Sequence, residues 1–577
     1  MAVETVTTSS IIDTGEAKQR FLTRGDKICL AAYGLSLLLI GLGIRTLTRH
    51  EVLAAYPAKE MLLYGHWIVP MYAGIPRTAK PPGMNWLIAG FMKLFHSDSE
   101  FVVRFPSALS GVATALMIAS FAAKYYGRRI GMVSGLIVLT SAYVLIQARL
   151  AEVDMLLTAV VCSAMLIFAS GPVADAEIAG QPPTKLFTEQ LLAWRPIIFY
   201  LLAGLSFLLK GFVGPAFILL GTITYAAIQR DRQTVFFLLN PIGILLFLSL
   251  VAAWPLAAYL KYPPILESWR FEQFGRLTGE RGRDPFYFYL HSVPGSLLPW
   301  TPLMIAPAWL ALKTGQHRRP LNRFLICWFL PGVILLSLSA FKHQHYAFPL
   351  LPPAAILAAI GLLQYIKFQH FQKTKLHRLA AAGLIAACVI MAIVVHVLSY
   401  KIPGMARLGW PATIIVGVFG VGGLVAIFME HERRTVGQLS AIFTTAWIIP
   451  ILVQLLIIPI VDDYRADADL ARTANHIVPS ADMIYIIDPE PRVEPHSAWY
   501  LRQPIRRFRD ENDFLANAPT RPGKKVYVIT NTTQGNAMAQ RGTVQTLAQR
   551  ESDRRVARPR ELILVSYTPN PNDTPKH

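Results

Sequence analysis

A short polar stretch between the first two long apolar runs of this 577-residue chain holds residue types that move protons and hold phosphates. It reads His50-Glu51, then Lys59-Glu60, then Pro76-Arg77-Thr78-Ala79-Lys80-Pro81-Pro82-Gly83. Glu51 can act as a general base, taking a proton from an acceptor hydroxyl or amine as a bond forms to carbon. On position alone it is equally a solvated loop acid. His50 can orient that acid, bind a metal or cap a helix. The two prolines after Lys80 restrict the backbone and remove two donors. They would hold the lysine at an interface where it can meet a phosphate, although a snorkelling lysine is the plainer reading.

Four more polar points interrupt apolar sequence. Asp154 opens an apolar run, where a helix N-terminus would stabilise it; its functional reading is a second acid that orients the acceptor or assists the base. Lys210-Gly211 falls between two apolar runs, a setting in which a lysine is expensive unless paired. Arg270, Arg276, Arg281 and Arg283 precede Asp284 and form a candidate clamp for a phosphate or diphosphate. The acids Glu267, Glu272, Glu280 and Asp284 are their alternative partners. In Lys342-His343-Gln344-His345-Tyr346, the lysine suits a phosphate. His343 and His345 can ligate a metal, donate to a phosphate or serve as ordinary interface histidines; their spacing is a weak metal signal.

These groups need elements to carry them, and composition says which. Only 16% of residues are charged and 53% are hydrophobic, against about 25% charged in soluble domains. Many windows are apolar over the 17–25 residues that cross a bilayer. The expectation is an all-α polytopic membrane protein with about thirteen spans, near 28–46, 103–123, 130–148, 153–170, 196–209, 212–228, 234–255, 288–312, 323–340, 345–366, 379–399, 410–429 and 439–461. With residues 1–27 cytoplasmic, the short basic loops at 124–129, 230–232, 313–323, 367–378 and 433–434 share the cytoplasmic side. The net charge of +20 then belongs to those loops and to anionic lipid, not to nucleic acid. The four cysteines lie in apolar runs, so no disulfide framework is readable.

The chain thus divides into a cytoplasmic segment 1–27, a membrane domain 28–461 and a polar region 462–577. Within the membrane domain, the outer loop 47–102 is long enough for interfacial helices. In 462–577, strand-like runs at 482–487, 525–530 and 561–566 alternate with helical patterning at 467–478 and 535–550. That predicts a small α/β domain, placed outside the cytoplasm by the span count. The outer face then collects Glu51, Asp154 and the lysines and arginines. This suggests transfer from a lipid-linked phosphate donor, with cations stabilising the leaving group.

At these residues the chain resembles the family 39-like GT-C membrane glycosyltransferases, which include the protein O-mannosyltransferases and the aminoarabinose transferase of lipid A. The resemblance rests on His50-Glu51, Lys59-Glu60-Met61-Leu62, Gly65-His66-Trp67, Pro70, Lys80-Pro81-Pro82, Asp154, Lys210-Gly211, Leu298-Pro299-Trp300, and Ser337, Ser339, Tyr346 and Pro349. It implies a GT-C fold and a polyprenyl-phosphate sugar as donor. The acceptor would be a lipid, glycan or protein on the extracytoplasmic face of the inner membrane, with inversion at the sugar carbon. Glu51 or His50 would be the base, and Asp154 the second acid. Lys80, Lys210, Lys342 and an arginine of 276–283 would hold the phosphate, with His343 and Tyr346 close by. Two positions depart from the pattern. His50 replaces the family's first acid, and Ala79 replaces an acid that contacts metal in the lipid A enzyme, so a divalent metal stays open. The competing classes are a secondary transporter, which would place charges near the midplane and show internal repeats, and a non-catalytic homologue that binds lipid phosphate.

Overall fold

Thr23 opens the first helix with a reciprocal cap. Its hydroxyl accepts from the Asp26 amide at 3.1 Å, and Asp26 Oδ2 accepts from the Thr23 amide at 2.8 Å. The protein is described by a computed structural model covering residues 21–179, 193–270, 283–369, 374–401, 406–462, 466–487, 499–518, 524–551 and 561–570. These residues form two compact units. One comprises residues up to Leu42, Thr78–Leu87 and Arg104–Val453; the other comprises Gly43–Arg77, Ile88–Val103 and the chain from Gln454 onward. The division therefore does not follow a single cut after residue 461.

Apolar length dictates helices. Eight among the described residues are long and apolar enough to cross a membrane: Glu100–Tyr126, Val153–Glu177, Arg232–Lys261, Pro320–Leu338, Gln344–Ile366, Ala381–Ser399, Ala406–His431 and Thr435–Asp462. Phe288–Ser296 and Thr301–Lys313, bent by 104°, make a ninth if taken as one span. Helix coincides with every expected span, but several are short. The first is the 16-residue helix Arg24–Leu39. The third breaks at the extended residue Ser141 into Arg128–Thr140 and Ala142–Gln147. Trp194–Lys210 and Val213–Gln229 have 17 residues each.

Arginines close the end of the first helix. Arg149 donates to the carbonyls of Leu37, Leu38 and Ile40 at 2.8, 3.0 and 2.6 Å. The buried Arg104 donates to Leu42 at 2.8 Å. Carbonyls at a helix end have no intrahelical partner, and cations there also meet the favourable end of the dipole.

The second unit is built around helix Arg49–Tyr64, a two-stranded hairpin (β1, Met71–Tyr72; β2, Ile75–Pro76) and a C-terminal sheet. Thr46 donates twice to Asp462, at 2.8 and 2.9 Å. The Tyr500 hydroxyl accepts from the Leu47 amide and donates to Glu100, both at 2.9 Å. These bonds tie the segment after the first helix to the end of the chain. The sheet comprises β3 (Ile484–Ile487), β4 (Ile505–Phe508), β5 (Val526–Asn531), β6 (Gly542–Glu551) and β7 (Glu561–Pro569). Its order is β4-β3-β5-β7-β6, with β3 parallel to β4 and β5, and β7 antiparallel to β5 and β6. One face buries Tyr485, Phe508, Phe514, Val528, Val565 and Tyr567.

The helix expected over 535–550 is corrected here. Helix Thr532–Ala539 is followed by β6, which pairs with β7 from Gly542 to Glu551. Ala, Gln and Leu favour helix locally, but the ladder with β7 overrides that preference.

Glu60 fastens the hairpin. Ala73 and Gly74 have φ of 50° and 78°, the left-handed pair that a two-residue hairpin loop requires. Their amides donate to the Glu60 carboxylate. Its Oε2 is buried without a hydrogen-bond partner among the described residues. Burial pushes the carboxyl above its ordinary range, against the two amides, which lower it. An acid whose folded pKa is raised contributes stability that is full below its unfolded value and lost as pH rises through the folded one. Melting temperature should therefore fall more steeply from pH 4.5 to 7 in the wild type than in Glu60→Gln, which mimics the protonated form. Parallel melting curves for the two proteins across this range would refute that role.

Candidate active site

Asp154 and Lys210 meet because two helices end at the same place. Helix Val153–Phe168 starts after the extended Glu152, leaving Asp154 in its first turn. Helix Trp194–Lys210 stops at Gly211, whose φ of 71° allows the chain to leave, so Lys210 occupies its last residue. The two helices pack along each other. The acid thus sits at a positive helix end and the lysine at a negative one, and the Lys210 ammonium donates to Asp154 Oδ1. Both side chains are buried. Desolvating two charges is costly unless they pair closely, and here they do. The acid expected to orient an acceptor is instead engaged by Lys210.

A strap brings Lys80 into the neighbourhood. Trp269 Nε1 donates to the Thr78 carbonyl at 2.9 Å, and the Trp269 ring rests on Phe207 and Trp254 at centroid distances of 5.8 and 5.3 Å. Pro81 and Pro82 are buried while Lys80 itself is exposed. At Gly83 the backbone meets helix Trp194–Lys210 so closely that a Cβ would stand 2.5 Å from the Leu208 carbonyl oxygen. Lys80 acts electrostatically on Asp154, as does His345. Gly83→Ala must push the strap away from the helix that carries Lys210. It should cost about 1–3 kcal/mol, as overpacking does, with a loss of any activity that needs both lysines. Melting and turnover both unchanged in this variant would disprove the close approach.

The turn Gln344–Leu350 supplies aromatic walls. Lys210 Nζ lies 4.5 Å from the Tyr346 ring centroid, a cation–π contact. His343 and His345 stack at 5.0 Å, and each stands edge-on to Tyr346, at 5.3 and 4.9 Å.

Lys342 departs from expectation. It is buried, and its ammonium donates to the backbone carbonyls of Asp284 (3.1 Å) and Ser339. Its amide donates to Asp284 Oδ2 at 2.8 Å, and Asp284 returns an amide bond to Ala340 at 2.9 Å. Lys342 therefore bolts two chain segments together. Arg270 and Arg283 are exposed; Arg276 and Arg281, with Glu272 and Glu280, lie outside the described residues.

His50 and Glu51 belong to the second unit. Glu51 is fully buried, and its Oε2 accepts from the Thr48 amide at 2.7 Å and lies 3.4 Å from Arg45. The Thr48 hydroxyl accepts from the Glu51 amide at 3.3 Å, completing a capping box at helix Arg49–Tyr64. That carboxylate oxygen serves the cap, which a catalytic base could not do freely. His50, one residue earlier, is exposed.

Among the described residues no group of three or more His, Cys, Asp or Glu side chains is placed to hold a metal ion. Ala79, beside Lys80, offers no donor. The described residues around Lys80 do not fit a metal site of the kind left open by the resemblance.

Sequence reasoning passed over Arg149 and Trp269. The run Gln147-Ala148-Arg149 between two apolar segments was a usable signal, because a partly buried arginine there must find carbonyls. Nothing local marks Trp269, whose partner is 191 residues away.

Comparison with known proteins finds the following similarities. Residues 79–259 match the family described as dolichyl-phosphate-mannose-protein mannosyltransferase. Over 341 residues the chain is 30% identical to an undecaprenyl phosphate-alpha-4-amino-4-deoxy-L-arabinose arabinosyl transferase of Pseudomonas fluorescens, covering 57% of this chain and 58% of that one. A similarly named protein of Edwardsiella ictaluri is 27% identical over 393 residues, covering 65% and 67%. The chain spans less than two thirds of the length of the first of these relatives. The crystal structure of ArnT from Cupriavidus metallidurans bound to undecaprenyl phosphate superposes with a TM-score of 0.73 at 19% identity, covering 94% of this chain and 98% of that one. The apo form gives 0.72. The chain resembles these glycosyltransferases and shares the GT-C fold.

Proposed function

We propose that the protein is a membrane glycosyltransferase that moves a sugar from a polyprenyl-phosphate donor to a lipid, glycan or protein acceptor, with inversion. The observation that carries this reading is the buried Asp154–Lys210 pair, with Lys80 acting on the same acid. Lys210 packs on the Tyr346 ring, and Lys80 acts electrostatically on the same acid that Lys210 pairs with. A phosphate on a hydrophobic tail is a ligand for which such a site is suited. The undecaprenyl phosphate named for the ArnT structure belongs to that class.

In this reading the acceptor attacks the sugar carbon opposite the phosphate. The new bond forms as the carbon–oxygen bond to phosphate breaks, and the lipid phosphate leaves with the electron pair. Lys210 and Lys80 stabilise the charge that develops there. Asp154 positions Lys210, and Tyr346 covers the ammonium. The acceptor proton passes to a base on the opposite side of the sugar carbon. Arg283 adds a phosphate contact, and His343 lines the wall. The finer topology is thirteen spans in a bacterial inner membrane, with 462–577 as an extracytoplasmic domain.

The test is sugar transfer in nanodiscs from a defined set of polyprenyl-phosphate sugars to lipid, glycan and peptide acceptors, with Lys80→Ala alongside. Transfer by the wild type, strongly lowered in Lys80→Ala, is the expected outcome. Coupled solute flux in liposomes without any transfer would replace this reading with a transporter.

A further inference from the structure

His345 sits in the turn that leads into helix Leu351–Gln369. Its imidazole is wedged between His343, stacked at 5.0 Å with an interplanar angle of 22°, and Tyr346, edge-on at 4.9 Å and 87°. Asp154, Lys210, His343 and Lys80 act on it electrostatically. It is half-buried, and among the described residues no hydrogen bond engages either of its ring nitrogens. Two aromatic neighbours therefore fix the plane of the ring while both nitrogens remain available, and Lys210 packs on the same Tyr346 ring that His345 meets. A ring held this rigidly has already lost the freedom that binding would otherwise cost.

The lysines decide which part of the reaction this ring faces. They mark the side of the leaving phosphate, and an inverting displacement puts the base on the opposite side of the sugar carbon. We infer that His345, in the transfer reaction proposed above and dependent on that reading, donates an N–H hydrogen bond to the departing phosphate oxygen. The acceptor forms its bond to the sugar carbon, its proton goes to the base, and the carbon–oxygen bond to phosphate breaks. A phosphodiester with one negative charge becomes a phosphomonoester with two. His345 keeps its proton and stabilises the second charge, which exists only as the bond breaks. The contact therefore favours the transition state over bound donor.

The test separates one charge from two. Binding of a polyprenyl monophosphate and of its methyl phosphodiester is measured in nanodiscs at pH 8, above the second phosphate pKa of about 6. The wild type should prefer the monophosphate. His345→Ala should reduce that preference about tenfold or more, as loss of a charge-assisted hydrogen bond does, and leave diester affinity near the wild-type value. His345→Gln, which retains an N–H donor of similar reach and guards against a folding defect, should recover part of the preference. In transfer assays His345→Ala should lower kcat with little change in KM for the donor. An unchanged preference in His345→Ala, or an equal loss for both lipids, overturns this role while leaving the proposed function standing. Failure of the wild type to bind either lipid overturns both.

Discussion

Lys210→Met is expected to destabilise the protein by about 3–5 kcal/mol and to abolish transfer. The size of the first effect follows from what the substitution leaves behind. Asp154 is buried with Lys210 on its Oδ1, and removing one partner of a buried pair strands an uncompensated charge. Adding Asp154→Asn removes that charge, so the double variant should recover most of the lost stability. It should not recover activity. Loss of one preorganised donor at a developing charge costs about 10²–10³-fold in rate, and the double variant lacks Lys210 as surely as the single one does. Thermal melting and transfer rates on the wild type, both single variants and the double variant separate the two effects. Wild-type turnover by the double variant would make the pair purely structural and remove the phosphate site from this position.

Lys80→Ala should show the opposite pattern. Lys80 is exposed, so stability should change by no more than about 0.5 kcal/mol. Its place after the Trp269–Thr78 bond and before the Gly83 contact nevertheless holds it near the pair. With the charge gone, kcat/KM for the donor should fall about 10²–10³-fold. Lys80→Arg should lie between, because guanidinium keeps the charge but not the point geometry of an ammonium. The measurement is steady-state transfer with varied donor, alongside melting curves. A Lys80→Ala enzyme with wild-type kcat/KM would show that the strap does not deliver a phosphate ligand.

These two lysines also show how far the sequence alone could go. Both stood out as cations in apolar settings, one of them beside a proline pair that restricts the backbone. What was hidden is that Lys210 and Asp154, 56 residues apart, satisfy one another. Each end of the pair was visible as a helix terminus, but only helix packing brings the two termini together. Lys342 illustrates the reverse case. Its surroundings looked like those of Lys210, yet two backbone carbonyls take its ammonium, and carbonyl directions carry no sequence signature. Glu51 was legible in a different way. Thr48-x-x-Glu51 is a capping-box spacing, and that signal lay in view beside the catalytic one. In the C-terminal region the apolar runs of β3, β5 and β7 were readable because they are buried. The polar edge strand β6 was not, because its pairing with β7 sets its conformation.

The central claim is that Lys210 and Lys80 hold the phosphate of a lipid-linked donor. The most direct measurement is a cryo-EM structure of the full chain in nanodiscs containing polyprenyl phosphate. Phosphate density is expected within hydrogen-bonding distance of both Lys210 Nζ and Lys80 Nζ, with the Asp154 carboxylate still on Lys210. A lipid phosphate seated elsewhere, with both lysines untouched by it, would rule out this phosphate site.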